Sequence, residues 1–154
     1  MTRAEASVPN GMTLALDQAK AAAERGEVPV GAALFDENGA LVTAFGNQVE
    51  QNRDPTGHAE MLALRTGAAR LGLKRLEGCD LYVTLEPCPM CAAAISLARI
   101  RRLYFAAYDP KGGGVEHGPR IFEQPTCHHR PEVYGGIAER QGGAVLRHFF
   151  RGKR

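Results

Sequence analysis

Apolar residues return at helical spacing near the start of the chain. Met12, Ala15, Leu16, Ala19, Ala22 and Ala23 mark one face, and Gly26 follows as a stop. The pattern predicts a helix from Met12 to Gly26, and Pro29 blocks its continuation. Residues 30–35 run apolar without alternation, as in a strand covered on both faces. Asp36-Glu37-Asn38-Gly39 has hairpin-turn chemistry, and residues 41–45 supply the partner strand. Residues 46–57 form a polar loop with Asn47, Asn52 and an Asp54-Pro55 turn signal. Met61, Leu64, Ala68 and Leu71 then mark a second helix, closed by Gly72. Residues 81–85 read as a third strand that runs straight into Glu86-Pro87-Cys88. Residues 91–98 are small and apolar, a helix to be buried against the sheet, and residues 103–107 are a fourth strand.

Strand–helix–strand connections require parallel pairing, whereas the first two strands form a hairpin, so the expected sheet is mixed. Residues 109–130 form a long loop after a parallel strand end, where α/β proteins place ligands. Its Gly112-Gly113-Gly114 lacks the spacing of a phosphate loop and reads as flexible chain. Residues 133–135 suggest a short fifth strand. Residues 137–150 suggest a last helix, or two short ones, because Gly142-Gly143 costs about 1 kcal/mol per glycine. Residues 1–10 are polar with Pro9, a loose leader.

The 154 residues suit one domain, residues 1–154, with no repeat or linker. The chain is 44% hydrophobic and 23% charged, an ordinary globular balance. No apolar run approaches the roughly 20 residues of a membrane span, and the start lacks signal-peptide order. A cytoplasmic protein with no membrane partner is expected. The net charge of +2 selects no partner, but the segment from Arg140 onward holds Arg140, Arg147, Arg151, Lys153 and Arg154 without an acid. Such an end is either a solvated tail or a polyanion contact.

Four cysteines do not make a disulfide framework. Cys88 and Cys91 are three apart, so on a helix their sulfurs can meet on one ion. Pro87 suits a first helical turn, and a helix start favours thiolate. His58 offers a third ligand. Three protein ligands leave one tetrahedral position of Zn²⁺ open, as catalytic sites require, and one ion per subunit is expected. Such an ion makes water acidic near neutral pH. Glu60, two residues from His58, could move the protons without ligating. Cys79 and Cys127 could instead complete a closed structural site.

His58-Ala59-Glu60 with Glu86-Pro87-Cys88-Pro89-Met90-Cys91 resembles the cytidine/deoxycytidylate deaminase superfamily. From Met12 onward the chain resembles its bacterial tRNA-specific adenosine deaminase branch. That likeness adds Asp54-Pro55-Thr56, Ala98-Arg99-Ile100, Asp109-Pro110-Lys111, His129-Arg130-Pro131-Glu132-Val133 and Phe149-Phe150-Arg151. The resemblance implies a three-layer α-β-α fold with a five-stranded mixed sheet and a homodimer. It implies hydrolytic deamination of the wobble adenosine of a tRNA anticodon to inosine, with the anticodon stem-loop as partner. By position, Asn47 would hold the flipped base or its ribose, and Asp109 and Lys111 neighbouring nucleotides. Phe149, Phe150 and Arg151 would lie near the stem-loop, and His128 and Arg130 would contact RNA. Two positions depart from the branch. Gly57 stands where alanine is usual, and His128 stands where asparagine is usual. A free-base deaminase for guanine or cytosine, or a non-catalytic zinc-stabilised RNA-binding module, are the rival readings.

Overall fold

A computed structural model describes residues 9–153. Its elements are α1 (Asn10–Glu24), β1 (Gly31–Phe35), β2 (Leu41–Gly46), α2 (Val49–Asn52), α3 (Ala59–Leu71), β3 (Asp80–Leu85), α4 (Pro89–Leu97), β4 (Arg102–Ala107), β5 (Glu132–Tyr134) and α5 (Glu139–Arg151). A 3₁₀ turn, Ile121–Glu123, lies in the loop between β4 and β5. The five strands form one sheet in the order β2-β1-β3-β4-β5. β1 is antiparallel to β2 and β3, and β3, β4 and β5 run parallel.

The strand side chains alternate between two cores, as a period of two demands. Ala32, Leu34, Leu81, Val83, Leu103 and Phe105 pack with Ala59, Ala63 and Leu64 of α3 and Ala92 and Ile95 of α4. Ala33 and Ala106 pack on the other face with Met12, Ala15 and Leu16 of α1. Tyr82 and Tyr104 stack on that face with ring centroids 4.4 Å apart. α5 lies on the α1 face, across β4 and β3. The three layers match the expected architecture.

α1 crosses the hairpin very closely. A Cβ on Gly31 would sit 1.9 Å from the Ala15 carbonyl oxygen, and one on Gly46 would sit 2.6 Å from that of Gln18. Backbone cannot yield as a flexible side chain can. Gly31→Ala is therefore expected to destabilise by about 1–3 kcal/mol or more. A lowered urea midpoint at unchanged slope would register it, and an unchanged midpoint would refute the close crossing.

Several local expectations need correction. Asn10 already belongs to α1, capped by Pro9, so the leader is at most shorter than residues 1–10, and its residues 1–8 lie outside those described. Val49–Asn52 forms a turn of helix inside the predicted polar loop. α4 begins at Pro89, with Cys88 as its N-cap, so Pro87 precedes the helix rather than opening it. α5 is one helix, not two, and passes unbroken through Gly142-Gly143. Packing needs the first glycine: a Cβ on Gly142 would lie 2.7 Å from the Thr84 carbonyl oxygen and 2.9 Å from Ala106 Cβ. Tertiary contact here outweighs helix propensity.

Candidate metal centre and substrate cavity

Two helix starts converge beyond the end of β3. β3 delivers Cys88 to the N-cap of α4, and Cys91 follows one turn later, buried. His58 is the N-cap of α3. Its Nδ1 lies 3.6 Å from Cys88 Sγ and 3.4 Å from Cys91 Sγ. All three donor atoms lie within 4.8 Å of one another, and they are the one such group of three among the described residues. A tetrahedral ion about 2.3 Å from sulfur and about 2.0–2.1 Å from nitrogen sets sulfur and nitrogen about 3.6 Å apart, so the donor set fits zinc. Cys79 is buried in the core under α3 and α4. Cys127 sulfur hydrogen-bonds the Ser96 hydroxyl and the His129 carbonyl. Neither joins the group.

The protein's own charges favour a metal-ready thiolate. The hydrogen bond from Cys91, supplemented by His58 against burial, holds Cys88 down to about 4. The same bond and burial push Cys91 up. The bond with Cys88 also raises His58. This hydrogen bonding favours the thiolate of Cys88, and thiolate is the ligating form.

Glu60 lies in the first turn of α3 at 4% exposure. Burial lifts its carboxyl to about 7, where it can both take and release a proton near neutral pH. Glu60, His58 and Cys88 line a cavity of about 900 Å³.

The other predicted residues divide by place. Asn47, Asp109 and Phe150 line this cavity, and so does Phe149. Asn47 is 7% exposed, and its Oδ1 accepts a hydrogen bond from Ala59 N at 2.8 Å. It therefore orders the start of α3, which carries Glu60, while its amide nitrogen has no hydrogen-bond partner among the described residues. Asp109 Oδ1 accepts from Lys111 N and Gly112 N, so part of its carboxylate closes its own turn. Lys111 is exposed and does not line the cavity. His128 lines a separate cavity of about 250 Å³ with Ser96 and Cys127. Arg130 lies in a groove with Arg75, Arg99 and Arg101. Arg151 lies in a shallow depression beside Phe150.

Two buried acids at the cavity, Glu27 and Glu86, had no role assigned from the sequence. Glu27 accepts from Glu50 N and Gln51 N and so anchors α2. Glu86 accepts from the Asp109–His117 loop. Burial works against its charge, but bonds from Asp109 N, His117 and the Glu116 and Val115 amides outweigh it and hold Glu86 below its ordinary range. An acid at the end of an apolar strand was the available signal.

The model of the cytidine and deoxycytidylate deaminase zinc-binding region matches residues 7–107. A tRNA-specific adenosine deaminase of Agrobacterium fabrum is 57% identical over 143 residues, 93% of each chain. That of Bacillus subtilis is 43% identical over 140 residues, 91% of this chain and 86% of its own. A solved structure from studies of A-to-I editing by tRNA:A34 deaminases superposes with a TM-score of 0.87 at 55% identity, over 88% of this chain and 98% of its own. A guanine deaminase from Nitrosomonas europaea superposes with a TM-score of 0.78 at only 26% identity, over 90% of this chain and 82% of its own. The chain belongs to the cytidine and deoxycytidylate deaminase family, in the branch of its tRNA-specific adenosine deaminases.

Proposed function

We propose that this chain hydrolyses the wobble adenosine of a tRNA anticodon to inosine, with Glu60 as proton carrier and His58, Cys88 and Cys91 holding one zinc ion per subunit. The carrying observation is a buried carboxyl group beside three converging donor atoms, with Glu60, His58 and Cys88 lining one cavity. The likeness to tRNA-specific adenosine deaminases selects the substrate. Zinc, when bound, supplies the Lewis acidity that lets water react as hydroxide at neutral pH. Glu60 takes a proton from the attacking water and passes it to the purine ring nitrogen as oxygen adds at C6. It then moves the second proton to the exocyclic amine, the C6–N bond breaks, and ammonia leaves. Addition and departure occur at one carbon, so one carboxyl group serves both.

Asn47 offers its free amide nitrogen to the flipped nucleoside, and Phe149 and Phe150 offer stacking faces to neighbouring bases. Lys111, His128, Arg130 and Arg151 lie outside the cavity and suit the stem-loop backbone. The reading includes a homodimer, whose interface would cover Leu97, 78% exposed on the helix that carries Cys91. A reducing cytoplasm suits thiolate ligands.

The test is incubation of the zinc-loaded protein with an anticodon stem-loop bearing adenosine at the wobble position, followed by nucleoside analysis. Inosine is expected, with no comparable release of ammonia from free guanine or cytosine. Turnover of the free bases alone would replace this reading with the free-base deaminase.

A further inference from the structure

Glu86 follows β3 two residues before Cys88, and it is 2% exposed. A carboxylate buried there needs partners, and one loop supplies them all. Oε1 accepts from Asp109 N at 3.0 Å and from His117 Nδ1 at 2.8 Å. Oε2 accepts from the backbone N–H groups of Val115 at 3.2 Å, Glu116 at 2.9 Å and His117 at 3.1 Å. Gly114 N also donates to Pro87 O at 2.8 Å.

Glycine permits this approach. A Cβ on Gly113 would lie 2.3 Å from Glu86 Oε2, and one on Gly114 would lie 2.6 Å from Pro89 N and Cα. Gly113-Gly114 is therefore a close-packed seam along the start of α4. It is not the flexible segment that its composition suggests. Asp109 and Gly112, at the other side of the same turn, line the cavity. The sequence from strand end to metal ligand is thus welded to the loop that edges the substrate space.

We propose that Glu86 is a positioning residue that, with His117 as its side-chain partner, fixes the loop of residues 109–117 against the end of β3 and so sets where that loop meets substrate. Its role in turnover rests on the reading above; its hold on the loop does not. Glu86→Gln keeps the shape but turns one acceptor into a donor that faces N–H groups. His117→Phe removes one bond and keeps a ring against Tyr108, whose centroid lies 6.1 Å from that of His117.

The experiment compares wild type, E86Q and H117F, all zinc-loaded, by amide hydrogen exchange and by steady-state kinetics on the anticodon stem-loop. In E86Q the amides of residues 115–117 are expected to exchange at least about tenfold faster, with a smaller gain in H117F. KM is expected to rise about tenfold or more, with kcat changed less than about threefold and zinc content unchanged. Unchanged exchange and KM in E86Q would overturn the proposal. So would loss of zinc, or a fall in kcat alone, since either would place the carboxylate in the service of the metal centre. If E86Q does not fold, H117F decides by the same two readouts. A wild type that makes no inosine defeats the proposed reaction, while the exchange comparison still judges Glu86.

Discussion

Glu60→Ala is expected to cut inosine formation by about 10²–10⁴-fold, the range for a positioned proton-transfer group, while zinc stays at one per chain. Glu60 lies outside the donor group, so its removal strips nothing from the ion. It is buried, and burial lifts its carboxyl to about 7. Alanine therefore removes a group whose charge the site already disfavours, and the fold is not expected to suffer. Glu60→Gln keeps the volume and loses the proton transfer, so it should fall as far. Initial rates by nucleoside analysis, with metal analysis of the same samples, make the comparison. A glutamine variant within about tenfold of wild type would remove Glu60 from the role of proton carrier.

Metal removal is expected to abolish turnover and to loosen the fold at the same time. Cys91 is buried, and its sulfur lies 3.4 Å from His58 Nδ1 at the start of α3, so an ion there would tie the two helix starts together. An ion bound at a thousandfold excess over its dissociation constant stabilises by about 4 kcal/mol. For a chain of this length that corresponds to a Tm lower by roughly 10 °C after chelation. Cys91→Ser should reproduce both losses, because a serine hydroxyl does not ionise at neutral pH and cannot replace a thiolate. Thermal melts and metal content before and after chelation, with zinc added back, supply the measurement. A chelated protein with an unchanged melt and full turnover would end the zinc reading.

Much of the fold was legible because its signals are local. The unbroken apolar run of residues 30–35 became β1, buried on both faces. The helical recurrence from Met12 became α1, and Gly72 closed α3 in the left-handed conformation that glycine allows. The donor group was legible for the same reason. Cys88 and Cys91 share one helical turn, and His58 and Glu60 share another.

What escaped notice depended on contact between distant segments. Gly142-Gly143 reads as an interruption in sequence, but at Gly142 the Thr84 carbonyl and Ala106 leave no room for a side chain. Gly113-Gly114 looked loose until Glu86 and Pro89 filled the same space. That His128 and Arg130 line hollows apart from the main cavity was likewise set by packing.

From the sequence by itself came the order of the main elements, the mixed sheet and the candidate donor residues with Glu60 beside them, since each depends on spacing within a few residues or on chemistry carried by residue type. Only tertiary structure decided which buried acids hold which loops, where glycine is obligatory, and which basic residues border the cavity. Those outcomes turn on whether atoms dozens of residues apart come within hydrogen-bond or van der Waals reach, and chain packing alone sets that distance.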